Sequence, residues 1–132
     1  MYAFLIISSV YISLVDIASH KIRNRPLIFI GSSLSAFTLL ANGKFYLVSA
    51  LIVFSLGLIT MYFGLGAGDV KLAVLFALFF LPLEISRWSD FIEAFILGGV
   101  LLLIGALISR RSLADPIALA PAICAAFIWC AR

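Results

Sequence analysis

The stretch FYLVSALIVFSLGLITMYF, residues 45–63, contains no charged side chain. The hydrocarbon core of a bilayer is about 30 Å thick, so a helix that crosses it needs roughly 20 apolar residues. The apolar residues of this stretch follow one another continuously, without the alternation that a strand of a membrane barrel requires. The stretch therefore predicts a helix that is surrounded by lipid.

The composition extends this expectation to the whole chain. Of its 132 residues 65% are hydrophobic and 11% are charged, and the mean hydropathy is +1.27. A water-soluble domain of this size has too much surface relative to its volume to bury so many apolar side chains. The sequence thus predicts an all-α membrane protein with one integral-membrane domain over residues 1–132. It leaves no room for a soluble domain or a linker.

Apolar runs and short polar joints alternate along the chain. We expect six transmembrane helices in a polytopic bundle, over residues 1–16, 26–41, 45–63, 70–86, 91–108 and 113–130. The fourth run is short, because the 14 residues from Val70 to Leu83 span only about 21 Å as a helix. Either the helix continues through Glu84, Ile85 and Ser86, or the preceding glycine segment lies below the lipid headgroups.

The basic residues predict which side of the membrane each joint faces, since cytoplasmic loops carry more Lys and Arg. Six of the nine fall on one side, and three on the other. The first group is Lys21, Arg23, Arg25, Lys71, Arg110 and Arg111, and the second is Lys44, Arg87 and Arg132. The first group should be cytoplasmic, and both chain termini should lie on the opposite side. The net charge of +3 then indicates contact with anionic lipid headgroups and not with nucleic acid.

Two of the six acidic residues stand out by position. Asp16 closes the first apolar run, and Asp69 follows the segment GLGAG and opens the fourth. The predicted topology returns both to the cytoplasmic face. A carboxylate at membrane depth costs about 2.5 to 3.5 kcal/mol on insertion scales and usually marks a functional site. A structural alternative stays open, in which both are interfacial residues and Asp69 only caps a helix.

Two carboxyl groups that meet at one depth suit aspartic-type hydrolysis. In such pairs the groups lie about 3 Å apart and share one proton, because both cannot ionise. The ionised carboxylate takes a proton from water, and the protonated one donates a hydrogen bond to the scissile carbonyl. Gly64, Gly66 and Gly68 would shape the loop beside Asp69, because glycine accepts positive φ and close backbone approach.

The segments GLGAGDVKL and DIASHKIRN resemble the two motifs of the type IV prepilin peptidase family, whose members are GxGD intramembrane aspartic proteases. The first matches the common form G-A-G-D-x-K. In the second, Ile22 and Asn24 match an I-P-N motif at the family's distance from the aspartate, but Arg23 replaces the proline. The segment DPIALAPAICA is similar to the family's proline-containing last helix. The resemblance covers nearly the full chain as a layout of six helices.

The resemblance implies a leader peptidase that cuts prepilins and pseudopilins at the cytoplasmic face of the inner (cytoplasmic) membrane. Asp16 and Asp69 match the catalytic pair. Longer members carry an N-terminal extension with paired CxxC motifs and also methylate the new N-terminus. This chain is similar to the short members associated with tight-adherence (Flp-type) pili, so N-methylation is not expected of it. The partners implied are a membrane-inserted precursor helix and lipid, and association of several copies is left open.

The residues around the aspartates are candidates for substrate contact or for tuning the pair. Lys71 lies about 200° around the helix from Asp69, so direct pairing is not expected. Asn24, Arg23 and Arg25 belong to the basic loop, which otherwise serves only to set topology.

Other kinds of site are not expected. Cys124 and Cys130 lie six residues apart on different sides of a helix, so they fit neither a CxxC pair nor a metal site and read as small apolar residues. With His20 as the one histidine, no metal-ligand cluster is predicted. A nucleotide-binding glycine loop needs a preceding strand, so we expect no cofactor.

Two other functions remain open from the sequence. A small proton-coupled transporter would use the aspartates as relays, although the helix centres are nearly devoid of charge. A noncatalytic assembly protein would tolerate the replacement of both aspartates by asparagine.

Overall fold

The described residues are 2–19, 24–62, 66–108 and 118–132 of the computed structural model, and all regular secondary structure in these ranges is α-helical. Six helices lie in these ranges: α1 (Tyr2–Ser19), α2 (Asn24–Leu40), α3 (Leu47–Tyr62), α4 (Ala67–Phe80), α5 (Ile85–Ile108) and α6 (Ala120–Cys130). The all-α class is therefore confirmed for this part of the chain. His20, Lys21, Ile22, Arg23, Gly64, Arg110, Arg111 and Asp115 lie outside the described residues.

The boundary between the fourth and fifth helices differs from the expected one. α4 ends at Phe80, and its C-cap Leu81 has left the helical conformation, with φ −112° and ψ 88°. The cause is Pro82, which disfavours the helical conformation in the residue before it. The expected helix over 70–86 is therefore wrong at its C-terminal end. The segment SRWSD, expected to be a polar joint, instead forms the first turns of α5.

The last helix also begins later than expected. The apolar run suggested a start at residue 113, but Ala118 and Leu119 are not helical and α6 begins at Ala120. Pro121 falls in the first turn, where its missing N–H removes no helical hydrogen bond. The amide of Ala120, in the same first turn, has no acceptor within the helix.

Two helices, α4 and α6, form the centre of the bundle. α6 packs against α1, α4 and α5, and α4 packs against α2, α3 and α6. Phe127 of α6 is fully buried and joins three helices, because its ring lies 5.6 Å from that of Phe76 on α4 and 4.7 Å from that of Phe91 on α5. The two central helices therefore carry most of the apolar core.

Tertiary contacts show that α1 and α5 each run antiparallel to α6. At one end, Asp16 near the end of α1 contacts Ala120 at the start of α6. At the other end, the Tyr2 hydroxyl lies 3.5 Å from the carbonyl of Ile128, and the Arg87 guanidinium donates to the carbonyl of Cys130 at 2.8 Å. We call the end that contains Asp16 the site end.

By length and composition, one helix of the described part could cross a membrane. This is α5, with 24 residues and a length of about 36 Å. None of its residues is fully buried in the bundle. α1, α3 and α6 are apolar but shorter. Large apolar side chains are exposed along most of the helices, including Leu58 on α3 and Leu101 on α5.

Gly57 brings α3 and α4 into close contact. An ideal Cβ built on Gly57 would lie 2.4 Å from Cγ1 of Val70. Any side chain at position 57 would therefore push α3 away from α4 at Val70, the residue that follows Asp69. This contact fixes the first turn of α4 against α3.

Candidate active site

Asp16 is a buried carboxylate with one defined partner. Its side chain is 5% exposed, and its Oδ2 accepts a hydrogen bond from the backbone amide of Ala120 at 3.2 Å. The first amides of a helix have no partner within the helix. Asp16 therefore caps the start of α6 with a side chain that α1 supplies from 104 residues away.

Asp69 lies in the first turn of α4. Gly66 is the N-cap of this helix, and its carbonyl accepts hydrogen bonds from the amides of Asp69 at 3.0 Å and Val70 at 3.2 Å. A Cβ on Gly66 would lie 3.0 Å from Oδ2 of Asp69. Gly66 has φ −66° and ψ 136°, an extended conformation open to any residue. The glycine is therefore needed for the close approach of the carboxylate and not for positive φ, which the sequence analysis also allowed.

The structure brings Asp16 and Asp69 together at the site end, close enough for their charges to interact. Asp69 precedes both the uncharged segment 72–83 and the expected transmembrane run of residues 70–86. Burial, and to a lesser degree the neighbouring carboxylate of Asp16, raise the pKa of Asp69 from 3.8 to about 6. Oδ1 of Asp69 is buried and has no hydrogen-bond partner among the described residues.

A third polar group lies beside the pair and was not recognised from the sequence. The thiol of Cys124, on α6, interacts electrostatically with both aspartates and lies next to the hydroxyls of Ser9 and Ser13 on α1. Cys124 is buried and has a free thiol. Helical spacing is the sequence feature that could have indicated this position of Cys124. It lies one turn after Ala120, the residue whose amide contacts Asp16.

The remaining candidate residues surround the pair at a greater distance. Nζ of Lys71 donates a hydrogen bond to Oδ1 of Asn24 at 3.1 Å, which joins the first turns of α2 and α4. Lys71 thus binds Asn24 and does not bind Asp69, as the helical spacing predicted. Gly68 is half-buried in the first turn of α4. Arg25 lines a groove between α1 and α2, and Arg23 lies outside the described residues.

A second groove begins at Lys71, two residues after Asp69. It has a volume of about 620 Å³ and runs between α2 and α4, with Lys71 and Asn24 at its site end. Its walls combine small residues of α2 with large apolar residues of α4. They include Gly31, Ser32, Ser35, Leu75, Leu78 and Phe79. We call it the α2/α4 groove.

Chemically, the described residues of the site offer two carboxyl groups and the thiol of Cys124. Within the described ranges, no three His, Cys, Asp or Glu residues are grouped as a metal ion would require. With its pKa raised to about 6, Asp69 is a carboxyl group that can exchange a proton near neutral pH.

No family model, no curated protein and no solved structure matches this chain.

Proposed function

We propose that the protein is an intramembrane aspartic endopeptidase that removes the leader peptide from prepilin-like precursors. The observation that carries the proposal is the meeting of Asp16 and Asp69 at one end of the bundle. These are also the two aspartates that match the motifs of the type IV prepilin peptidases. A pair of interacting carboxyl groups beside a glycine-bounded helix start is the arrangement that water activation requires.

The proposed setting is the inner membrane, with six helices in lipid and the site end at the cytoplasmic face. The exposed apolar side chains support it, because soluble monomers rarely expose contiguous apolar patches of more than a few hundred Å². The apolar window of α5 is likewise not buried by the other helices, which also supports a lipid environment. Helices shorter than the bilayer core can be accommodated by local thinning of the bilayer.

The substrate would be a precursor that is itself anchored by a transmembrane helix. The α2/α4 groove offers a place for such a helix, since Gly31 and Ser35 would let its backbone approach closely. Lys71 closes the site end of the groove two residues from Asp69. A helix bound there would place the chain that leaves it at the site end of the bundle, the end at which both aspartates lie.

The test is cleavage by the purified full-length chain in liposomes that also contain a candidate prepilin. We expect a shortened product whose new N-terminus, read by mass spectrometry, lies at the start of the precursor's hydrophobic segment. Proton flux is measured in the same vesicles. Proton flux without cleavage would replace the peptidase with the transporter, and the absence of both across a panel of prepilins would favour a noncatalytic assembly role.

A further inference from the structure

The two aspartates differ in what holds them, although each lies at the start of a helix. A helix N-terminus stabilises a negative charge by typically 0.3 to 1 kcal/mol, and by up to about 2 kcal/mol in partly buried positions. Asp16 lies at the start of α6 and Asp69 at the start of α4. Since both carboxylates have this advantage, the helix dipoles alone do not decide which one ionises.

Hydrogen bonding separates them. Asp16 accepts the amide hydrogen of Ala120, and a hydrogen bond to a charged acceptor is stronger than one to a neutral acceptor. Oδ1 of Asp69, in contrast, is buried and receives no hydrogen bond from the described residues. A buried carboxylate without donors favours its neutral form, in which the carboxyl group is itself a donor.

The other ionisable groups nearby do not reverse this difference. From α6, the thiol of Cys124 faces both aspartates. From α4, Lys71 is bound to Asn24. From α2, Arg25 lines the groove on the α1 side. Among these described groups, no cation is bound to Asp69.

We propose that Asp16 carries the negative charge of the pair and acts as the base, and that Asp69 carries the proton and acts as the acid. The backbone amide of Ala120 is the positioning group, because it donates the hydrogen bond that Asp16 accepts, and a charged acceptor makes this bond stronger. Applied to peptide cleavage, this division rests on the proposed function. The location of the proton is a property of the fold and can be measured without a substrate.

The division fixes the path of each proton during hydrolysis. Asp16 takes a proton from water while the water oxygen bonds to the scissile carbonyl carbon, and Asp69 gives its proton to the carbonyl oxygen. The resulting gem-diol then returns a proton to Asp69 as the carbonyl forms again. The C–N bond breaks, and the leaving nitrogen takes the proton from Asp16. Both aspartates end in the states in which they began.

The experiment is infrared spectroscopy of the purified full-length protein, with isotope-labelled aspartate to identify the C=O band of a neutral carboxyl group. At pH 5 the wild type should show this band, and it should disappear as the pH rises past about 6. Asp69→Asn should remove the band. Asp16→Asn should keep it and move its titration to lower pH, because the neighbouring charge is gone. Asp90→Asn, at the opposite end of the bundle, is the matched control.

A band that is lost in Asp16→Asn and kept in Asp69→Asn would overturn the assignment, as would the absence of any band in the wild type at pH 5. If one of the two variants does not fold, the other still decides, since the band must be absent from Asp69→Asn and present in Asp16→Asn. For a cleaved precursor, kcat/KM should fall about tenfold per pH unit well above pH 6. If the precursor is cleaved but the infrared band belongs to Asp16, only the assignment of acid and base is rejected. If the band belongs to Asp69 but no precursor is cleaved, only the peptidase activity is rejected.

Discussion

Replacing Gly57 by alanine should weaken the contact that holds the first turn of α4. The new Cβ would lie 2.4 Å from Cγ1 of Val70, roughly 1 Å closer than the ~3.5 Å at which carbon atoms meet without repulsion. Rotation of the Val70 side chain gives only partial relief, because its Cβ does not move in such a rotation and stays 3.3 Å from the new atom. Overpacking of this kind costs about 1 to 3 kcal/mol.

The matched control is Gly99→Ala, since a Cβ at Gly99 meets nothing within 4 Å. Both substitutions gain up to about 1 kcal/mol from the higher helix propensity of alanine. The difference between their unfolding free energies, measured by denaturant titration in mixed micelles, therefore isolates the overpacking cost of about 1 to 3 kcal/mol. Equal stability of the two variants would refute the close α3–α4 contact.

The double variant G57A/V70A tests the same contact from the other side. Removing both γ-carbons of Val70 leaves its Cβ at 3.3 Å as the nearest atom, so most of the lost stability should return. Because Val70 follows Asp69, Gly57→Ala should also lower cleavage by more than Gly99→Ala does. A double variant no more stable than Gly57→Ala would show that the loss arises elsewhere.

Three further substitutions probe the site and its groove. Asp69→Asn should raise the thermal stability at pH 7.5, because the pKa of Asp69 is about 6 in the folded state against the usual 3.8, so its ionisation destabilises the fold. The gain in stability should shrink as the pH falls from 6 towards 4, and a gain independent of pH would contradict this origin. Gly66→Ala, whose Cβ would press on Oδ2 of Asp69 at 3.0 Å, should lower cleavage about tenfold or more with little loss of fold, and unchanged kinetics would exclude the contact. Ser32→Trp, in the α2/α4 groove, should raise the KM for a prepilin, whereas Ser55→Trp on exposed α3 should not; equal effects would place the substrate helix elsewhere.

The sequence predicted the helical class and the meeting of the aspartates because both depend on coarse patterns. Long continuous apolar runs favour helices over strands, which need an alternating pattern, and the predicted alternation of helix directions returns Asp16 and Asp69 to one end of the bundle. Whether these residues are catalytic stays a prediction.

Details that depend on the backbone could not be predicted from these patterns. The early end of α4 follows from Pro82, which the hydrophobic run concealed because Leu81 and Leu83 flank it. The amide of Ala120 cannot be recognised as a partner of Asp16 without knowing where α6 begins. The proximity of Cys124 to the pair likewise depends on the rotation of α6 against α1.

The role of Gly66 shows a similar limit. From the sequence, a glycine before Asp69 could serve either positive φ or close approach. The extended backbone of Gly66, and the 3.0 Å that would separate a Cβ at this position from Oδ2 of Asp69, distinguish the two. A pattern of glycines indicates that space or conformation is required, but not which of them.

The most direct test of the paired aspartates is cleavage of one prepilin by wild type, Asp16→Asn, Asp69→Asn and the control Asp90→Asn, each shown to insert into the membrane at equal amounts. Asp90 is an aspartate at the opposite end of the bundle, so the control loses the same charge away from the site. We predict that the wild type and Asp90→Asn release the leader at equal rates and that each of the other two variants releases none. Cleavage retained by either Asp16→Asn or Asp69→Asn would contradict catalysis by this pair.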